Sequence, residues 1–370
     1  MSADFWLQSN VHPTCAFRLT AQEQQDFIVN VLVNGELNTL FPCSGAYQRS
    51  FLKAYLEKCE RTRASEAVPV IESLYAAYLA SLSAVTSAPR PTADAASTYC
   101  FKTYLFSSTL SVTLRERTEL ISEGTTGLNT WEAALALAEW VLTHLSDVDI
   151  GHIVELGTGT GLVGVVLAKA SSAARITLTD CHAGILSLLQ ENMRVNGIDL
   201  ESPQRRSSTC TADTGGRNST ASEEDRAQRT LPVPCDPPST LSSAPCRVHI
   251  RHLDWMDFGP SEAAQLRAAR EGRGDRLLVI GSDLIYDPTI IPHLVATIVA
   301  LLQPYGPSRG GAEALIVSTV RNPATLALFV ATLAAAGLAV VELELPPRLY
   351  PWPGRSARVL LHRISVALVP

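Results

Sequence analysis

The β-branched, apolar run Ile153-Val-Glu-Leu passes without a turn residue into Gly157-Thr-Gly-Thr-Gly161, and an apolar segment with helical spacing begins immediately afterwards. A strand that feeds a helix through closely spaced glycines constrains the fold strongly. Glycine lets the backbone turn tightly and lets a ligand approach the peptide units, and the helix N-terminus presents free N–H groups. A nucleotide-like cofactor fits that place. Gly159-Thr-Gly161-Leu-Val-Gly164 also matches the GxGxxG of dinucleotide-binding folds, so the loop alone leaves the cofactor class open, and a purely structural glycine turn stays open beside it.

The surrounding pattern agrees with this start. From residue 130 onward, short β-branched runs alternate with helix-period segments, as expected of a parallel sheet covered by helices on both faces. Strands are expected at Ile153–Leu156, Arg175–Asp180, Val248–Trp255, Leu277–Asp283, Ala314–Val320, Val340–Leu345 and Val359–Ala367, the last two adjacent in sequence and able to pair antiparallel. Helices are expected at 130–145, 161–170, 182–196, 261–270, 289–303 and 322–336. The fold class is therefore α/β, a doubly wound seven-stranded, mostly parallel, Rossmann-like sheet.

Ahead of it the spacing of Ile71, Leu74, Tyr75, Tyr78 and Leu82 predicts one buried helical stripe within a small helical N-terminal domain. Proline and small polar residues over 87–98 read as a linker, and Thr103-Tyr-Leu-Phe with Leu110-Ser-Val-Thr-Leu reads as a hairpin opening the second domain. The expected division is 1–98 and 99–370. Within the second part, 201–245 is rich in Ser, Thr, Pro, Arg and Gly and has no apolar period, which predicts a disordered surface insertion without a catalytic role.

Composition narrows the function classes. Apolar residues make up 46% of the 370 and charged residues 18%, enough for a large packed interior. The apolar stretch Thr289–Leu302 is broken by Pro292 and His293 and is shorter than the ~20 residues a bilayer span needs. The N-terminus has no basic segment followed by an apolar run, so no secretory leader is expected. Eight scattered cysteines form no CxxC pair and no Cys/His cluster, which predicts free thiols in a reducing compartment and no metal. A net charge of −6 gives no overall attraction for nucleic acid.

Several strand ends carry chemistry. Asp180 closes the second strand of the sheet, where a carboxylate can accept hydrogen bonds from both ribose hydroxyls or cap the helix that follows. His182 beside it reads as a first-turn residue rather than a base. Asp254 and Trp255 close the third, placing an acid and an indole where an adenine amino group and ring could be met; packing is the plainer role for the indole. Gly281-Ser282-Asp283-Leu-Ile-Tyr286 closes the fourth beside the glycine loop, at the switch point of an open sheet. Asp283 could instead cap a helix near Pro288 or bond backbone amides. Arg321 and Asn322 follow the fifth strand, either touching a substrate or, for Asn322-Pro323, starting a helix.

Taken together, Gly124-Thr-Thr-Gly-Leu-Asn-Thr-Trp131-Glu-Ala-Ala, Val154-Glu-Leu-Gly-Thr-Gly-Thr-Gly-Leu, Asp180-Cys-His, Leu253-Asp-Trp, Asp283-Leu-Ile-Tyr286 and Thr319-Val-Arg-Asn-Pro323 resemble the seven-β-strand protein-lysine methyltransferases. Within that family they are nearest to the branch that modifies elongation factor 2. The resemblance spans about residues 100–345. It implies a class I methyltransferase fold and S-adenosylmethionine as cofactor, held by Trp131, Glu155, Gly157, Thr158, Gly159, Gly161, Asp180, Asp254, Trp255 and Ser282. It also implies that Asp283 and Tyr286 face the acceptor lysine of a protein substrate, in a monomeric cytoplasmic enzyme. The chain departs from the pattern at the 201–245 segment and at Ser282, where alanine is common. The rivals are a small-molecule methyltransferase, a nicotinamide-dependent oxidoreductase and a noncatalytic cofactor-binding scaffold.

Overall fold

The computed structural model describes residues 21–63, 70–86, 99–107, 109–118, 126–146, 148, 150–201, 246–268, 276–303, 311–347 and 358–367. The expected linker at 87–98 and nearly all of the expected insertion lie outside the described residues.

In chain order the described elements begin with helices α1 (Ala21–Phe27), a π-helical turn (Ile28–Val33), α2 (Glu36–Leu40), α3 (Gly45–Arg63) and α4 (Glu72–Thr86), followed by the strands β1 (Tyr99–Leu105) and β2 (Ser111–Arg117). Then come α5 (Glu132–His144), β3 (His152–Leu156), α6 (Leu162–Ala170), β4 (Arg175–Asp180), α7 (Ala183–Val195), β5 (Arg247–His252), α8 (Pro260–Ala268), β6 (Leu277–Ser282), α9 (Ile291–Leu302), β7 (Ala312–Thr319), α10 (Pro323–Ala335), β8 (Leu338–Leu343) and β9 (Val359–Val366).

The seven-stranded sheet has the order β5-β4-β3-β6-β7-β9-β8. β5, β4, β3, β6 and β7 run parallel, and β9 lies antiparallel between β7 and β8. The chain winds outward from β3 in one direction through β4 and β5, then in the other through β6 and β7. This places the switch point between β3 and β6, and an open α/β sheet opens a crevice outside the carboxyl ends of the strands there.

The central strands are buried on both faces, which is why they read as continuous apolar runs. Ile153, Ile176, Leu178, Leu278 and Ile280 pack with α5, α6, α7 and the β1–β2 hairpin. Val154, Leu156, Val279 and Ile316 pack with α8, α9 and α10, where Phe329 and Leu333 are fully buried. The hairpin is fixed to α7 by side chains that mimic a strand. Asn192 Oδ1 accepts from Arg115 N–H at 2.8 Å, and Asn196 Oδ1 accepts from Thr113 N–H at 3.0 Å.

The N-terminal helices bury their own small cluster, Ile28, Val29, Leu52, Tyr55, Leu56 and Leu74. Here the expected stripe is corrected. Leu74 is buried, but Tyr75 and Leu82 stand 36% and 43% exposed. Leu74 packs between α3 and the π-helical turn, while Tyr75 turns its hydroxyl out to Glu60 Oε1 at 2.9 Å and Leu82 lies past that cluster, near the end of α4. This helical unit meets the hairpin through Phe101 N–H donating to Pro42 O at 3.2 Å and through the Phe41 and Phe101 rings, 5.3 Å apart.

Strand β3 carries an acid into the core. Glu155 is 1% exposed and its Oε2 finds no hydrogen-bond partner among the described residues. Burial, partly offset by a Thr158 hydrogen bond and reinforced by the Asp180 charge, pushes its pKa from 4.5 to about 8. The folded chain thus keeps a proton that the unfolded chain releases above about 4.5, so stability from this group is complete below that pH and is lost as pH rises toward about 8. With each pKa unit worth about 1.4 kcal/mol, the loss is several kcal/mol. Denaturant unfolding at pH 5 and pH 8 should show Glu155→Gln close to the wild type at the lower pH and more stable at the higher. An unchanged pH slope in the variant contradicts the buried acid.

Candidate active site

The glycine loop sits at the carboxyl end of β3 in a conformation that ordinary residues avoid. Gly157, Gly159 and Gly161 have φ of 59°, 59° and 93°, in the left-handed region that only glycine enters freely. Space is as restrictive as the torsion. A Cβ on Gly157 would stand 2.7 Å from Leu284 Cδ2 and 3.6 Å from Trp255 Cζ2, and one on Gly161 would stand 2.5 Å from Leu189 Cδ1. Gly157 thus opens toward Trp255 and Leu284, and Gly161 lets α6 approach α7.

The loop is held from β4. Thr158 N–H donates to Thr179 O at 2.9 Å, and Thr179 N–H donates back to Thr158 Oγ1 at 3.1 Å. Asp180, 9% exposed, accepts from Gly159 N–H with Oδ2 at 3.3 Å and from His182 N–H with Oδ1 at 3.1 Å. Burial raises the Asp180 pKa, and the surrounding N–H groups oppose that rise. Cys181 N–H also reaches the carboxylate, and acceptor capacity remains on it for a ligand hydroxyl. His182 is the residue at the helix cap, as expected of a first-turn position, with a buried Nδ1 lacking a hydrogen-bond partner among the described residues.

The third strand stops at His252, so Asp254 and Trp255 lie in the turn after it rather than on a strand extending to Trp255. Asp254 Oδ1 accepts from Met256 N–H at 2.9 Å and shapes that turn, while Leu253 N–H donates to Asp180 O at 3.0 Å and ties it to β4. Trp255 is half-buried with its ring edge toward Gly157.

β6 likewise ends one residue early, at Ser282, which is half-buried and paired with Val317. Asp283 then takes φ of 53°, the one non-glycine residue with positive φ among the described residues. Its carboxylate caps no helix. Oδ1 accepts from Thr319 N–H at 2.8 Å, and Oδ2 accepts from the Thr319 hydroxyl at 3.2 Å and from Arg321 Nη2 at 3.0 Å. Residues 283–286 cross the end of β3, with Leu284 over Gly157. Tyr286 is 63% exposed. What burial it has, together with Cys181, Asp180 and Asp287 nearby, raises its phenol pKa. Tyr286 thus lies toward Cys181 and Asp180, whereas Asp283 lies toward Thr319 and Arg321.

Trp131 closes the flank beside Asp283. Its Nε1 donates to Thr126 O at 3.0 Å, and Gly127 O of the same turn lies 3.2 Å from where a Gly159 Cβ would be. The Arg321 guanidinium carbon stands 5.0 Å from the centre of the Trp131 ring. Asn322 accepts from Ala324 N–H at 2.9 Å with Pro323 next, so that residue caps α10.

The structure thus brings Gly157, Thr158, Gly159, Asp180, Trp255 and Leu284 together at the carboxyl end of β3 and joins Trp131 to Asp283 through Arg321. Glu155 lies apart from that surface, its carboxyl sealed beneath the loop near Gly164. Sequence reasoning missed Glu116, which is fully buried and accepts from Lys102 Nζ at 2.7 Å, Tyr104 OH at 3.1 Å, Thr130 N–H at 3.1 Å and Thr130 Oγ1 at 2.6 Å. The Thr130 hydroxyl in turn meets the Thr160 hydroxyl at 2.7 Å. The hairpin, the turn before Trp131 and the glycine loop form one polar chain. The signal was the alternation of Lys102 and Tyr104 on one face of β1, which asks for an acid on β2.

A family described as lysine methyltransferases matches residues 111–206. The chain is similar to the protein-lysine N-methyltransferase EEF2KMT of Bos taurus, 30% identical over 90% of this chain and 84% of that one. It is equally similar, at 30% identity, to the protein of the same name in Homo sapiens, over 83% of this chain and 74% of that one. The protein-lysine N-methyltransferase EFM3 of Chaetomium thermophilum is 28% identical over 71% and 64%. With the doubly wound sheet, the glycine loop and the acids at its strand ends, these relationships show that the chain belongs to the protein-lysine N-methyltransferase family.

Proposed function

We propose that the methyl donor is S-adenosylmethionine, bound in the crevice at the carboxyl ends of β3, β4 and β6, and that the acceptor is a lysine of translation elongation factor 2. The observation that carries the cofactor reading is Asp180. It is placed by the backbone of the glycine loop with acceptor capacity to spare, next to a loop whose glycines leave no side chain between it and Trp255. The acceptor reading rests on the relatives named EEF2KMT and on the Gly124-Thr-Thr-Gly-Leu and Thr319-Val-Arg-Asn-Pro strings.

The cofactor's sulfonium supplies an electrophilic methyl group to an amine nitrogen. The chain's own residues position and desolvate the partners. Asp180 holds the ribose hydroxyls, Asp254 and Trp255 meet the adenine edge and face, Ser282 and Trp131 close the sides, and Gly157, Thr158, Gly159 and Gly161 shape the floor. Glu155 supports that floor from below. Asp283 and Trp131 receive the lysine, whose ammonium must lose its proton before transfer; an apolar wall and a nearby positive charge favour the neutral amine. Tyr286, exposed on the other flank, meets the substrate protein. The proposed division is a helical N-terminal region with its linker over 1–98 and a methyltransferase domain over 99–370.

No helix among the described residues is long and apolar enough to cross a membrane, and no described group of residues is arranged to hold a metal. We take the enzyme to be a cytoplasmic monomer that does not bind nucleic acid directly. A small-molecule methyltransferase would label metabolites, a scaffold would bind cofactor without transferring label, and an oxidoreductase would bind NAD rather than S-adenosylhomocysteine.

Incubation with radiolabelled S-adenosylmethionine and elongation factor 2, followed by mass mapping, should place label on one lysine; label absent from protein contradicts the reading. Asp180→Ala should weaken cofactor binding at least tenfold by calorimetry, and unchanged affinity removes the ribose assignment. Asp283→Ala should abolish transfer while cofactor affinity stays within a few-fold, whereas joint loss makes Asp283 a structural residue.

A further inference from the structure

The expected acceptor subsite has two groups that attract a cation, the Trp131 face and the Asp283 carboxylate. The chain already presents one of its own cations to both. Arg321 Nη2 donates to Asp283 Oδ2 at 3.0 Å, and the guanidinium carbon lies 5.0 Å from the Trp131 ring centre. A planar, weakly hydrated guanidinium suits a stacked and paired position of this kind.

The arrangement is not a sealed structural salt bridge. The Asp283 side chain is 8% exposed, but that of Arg321 is 45% exposed, and a pair open to water on one side contributes little to stability. Asp283 does not need Arg321 to stay in place, because Thr319 N–H at 2.8 Å and the Thr319 hydroxyl at 3.2 Å hold it from β7, and Asp283 N–H donates to Val317 O at 2.9 Å. Asp283 nonetheless adopts φ of 53°, a conformation a non-glycine residue keeps only when its surroundings impose it, and such residues cluster at ligand clamps. The carboxylate is held fixed, and the cation on it is loosely held.

We propose that Arg321 is a specificity-determining residue that occupies the acceptor-lysine subsite between Trp131 and Asp283 until the substrate's ammonium displaces it. This inference rests on the methyltransferase reading above. Another cation can replace the guanidinium at Asp283 and Trp131, but a neutral or anionic nucleophile cannot, so entry selects for cationic amines. The selection weakens apparent affinity, because part of the substrate's interaction replaces one already present.

Arg321→Ala and Arg321→Gln test this in the full chain, using radiolabelled S-adenosylmethionine and elongation factor 2. In both variants the KM for elongation factor 2 should fall threefold to tenfold, with cofactor Kd within twofold of the wild type by calorimetry. An unchanged or raised KM overturns the proposal. So does a glutamine variant that behaves like wild type while alanine does not, since Arg321 would then be a hydrogen-bonding brace. A wild-type chain that labels no elongation factor 2 refutes the substrate reading instead. The subsite is then read directly by titrating n-butylammonium into the S-adenosylhomocysteine-bound protein and following the Trp131 indole N–H resonance. Threefold or tighter binding to Arg321→Ala supports the placeholder, and equal binding overturns it.

Discussion

The active site depends on the hydrogen bond from Gly159 N–H to Asp180 and on the paired Thr158–Thr179 contacts beside it. Three glycines within five residues give the loop its shape and also make it entropically costly to order. Inside the loop, Gly161 N–H donates to Thr158 O at 3.2 Å. From outside, β4 supplies Thr179 through its backbone and Asp180 through its side chain, Asn192 of α7 donates to Thr160 O at 2.8 Å, and the Thr130 hydroxyl meets that of Thr160. In the proposed reading the carboxylate that helps fix the loop would also face the ligand, so that loop geometry and ligand recognition would share one group.

The other walls follow from the winding of the sheet. β3 and β6 are neighbours whose connections leave in opposite directions, and at their carboxyl ends the short segment 283–286 lays Leu284 on Gly157 while Gly127 O approaches Gly159. The hairpin closes the remaining side through Glu116, Thr130 and Thr160. A buried carboxylate with this many donors is stable only while all of them stay in place. The turn that carries Trp131 is thereby coupled to the glycine loop. Leu200 forms a parallel bridge with Val248, so that the chain before residue 202 runs beside the amino end of β5.

The layers of this fold were legible because buried parallel strands leave unbroken apolar runs, and the helices between them keep a 3.6-residue period. The seven strands fall within a few residues of their expected places. The placement of the glycine loop and Asp180 was legible for a related reason, since it depends on backbone conformation and strand position. What escaped was decided by tertiary contact. No local pattern tells that Asp283 takes a left-handed conformation, that Arg321 folds back onto it, or that the turn before Trp131 adds two donors to the two that β1 gives Glu116. The α4 stripe was overestimated because periodicity says which residues share a face and not how much of that face a neighbouring helix covers.

The most direct test of the central claim is a crystal structure of the protein with S-adenosylhomocysteine. The account predicts ribose hydroxyls on Asp180, the adenine against Trp255, and the sulfur directed toward the space between Trp131 and Asp283. A ligand bound elsewhere, or bound in the crevice with Asp180 still engaged only with Gly159 and His182, would contradict it.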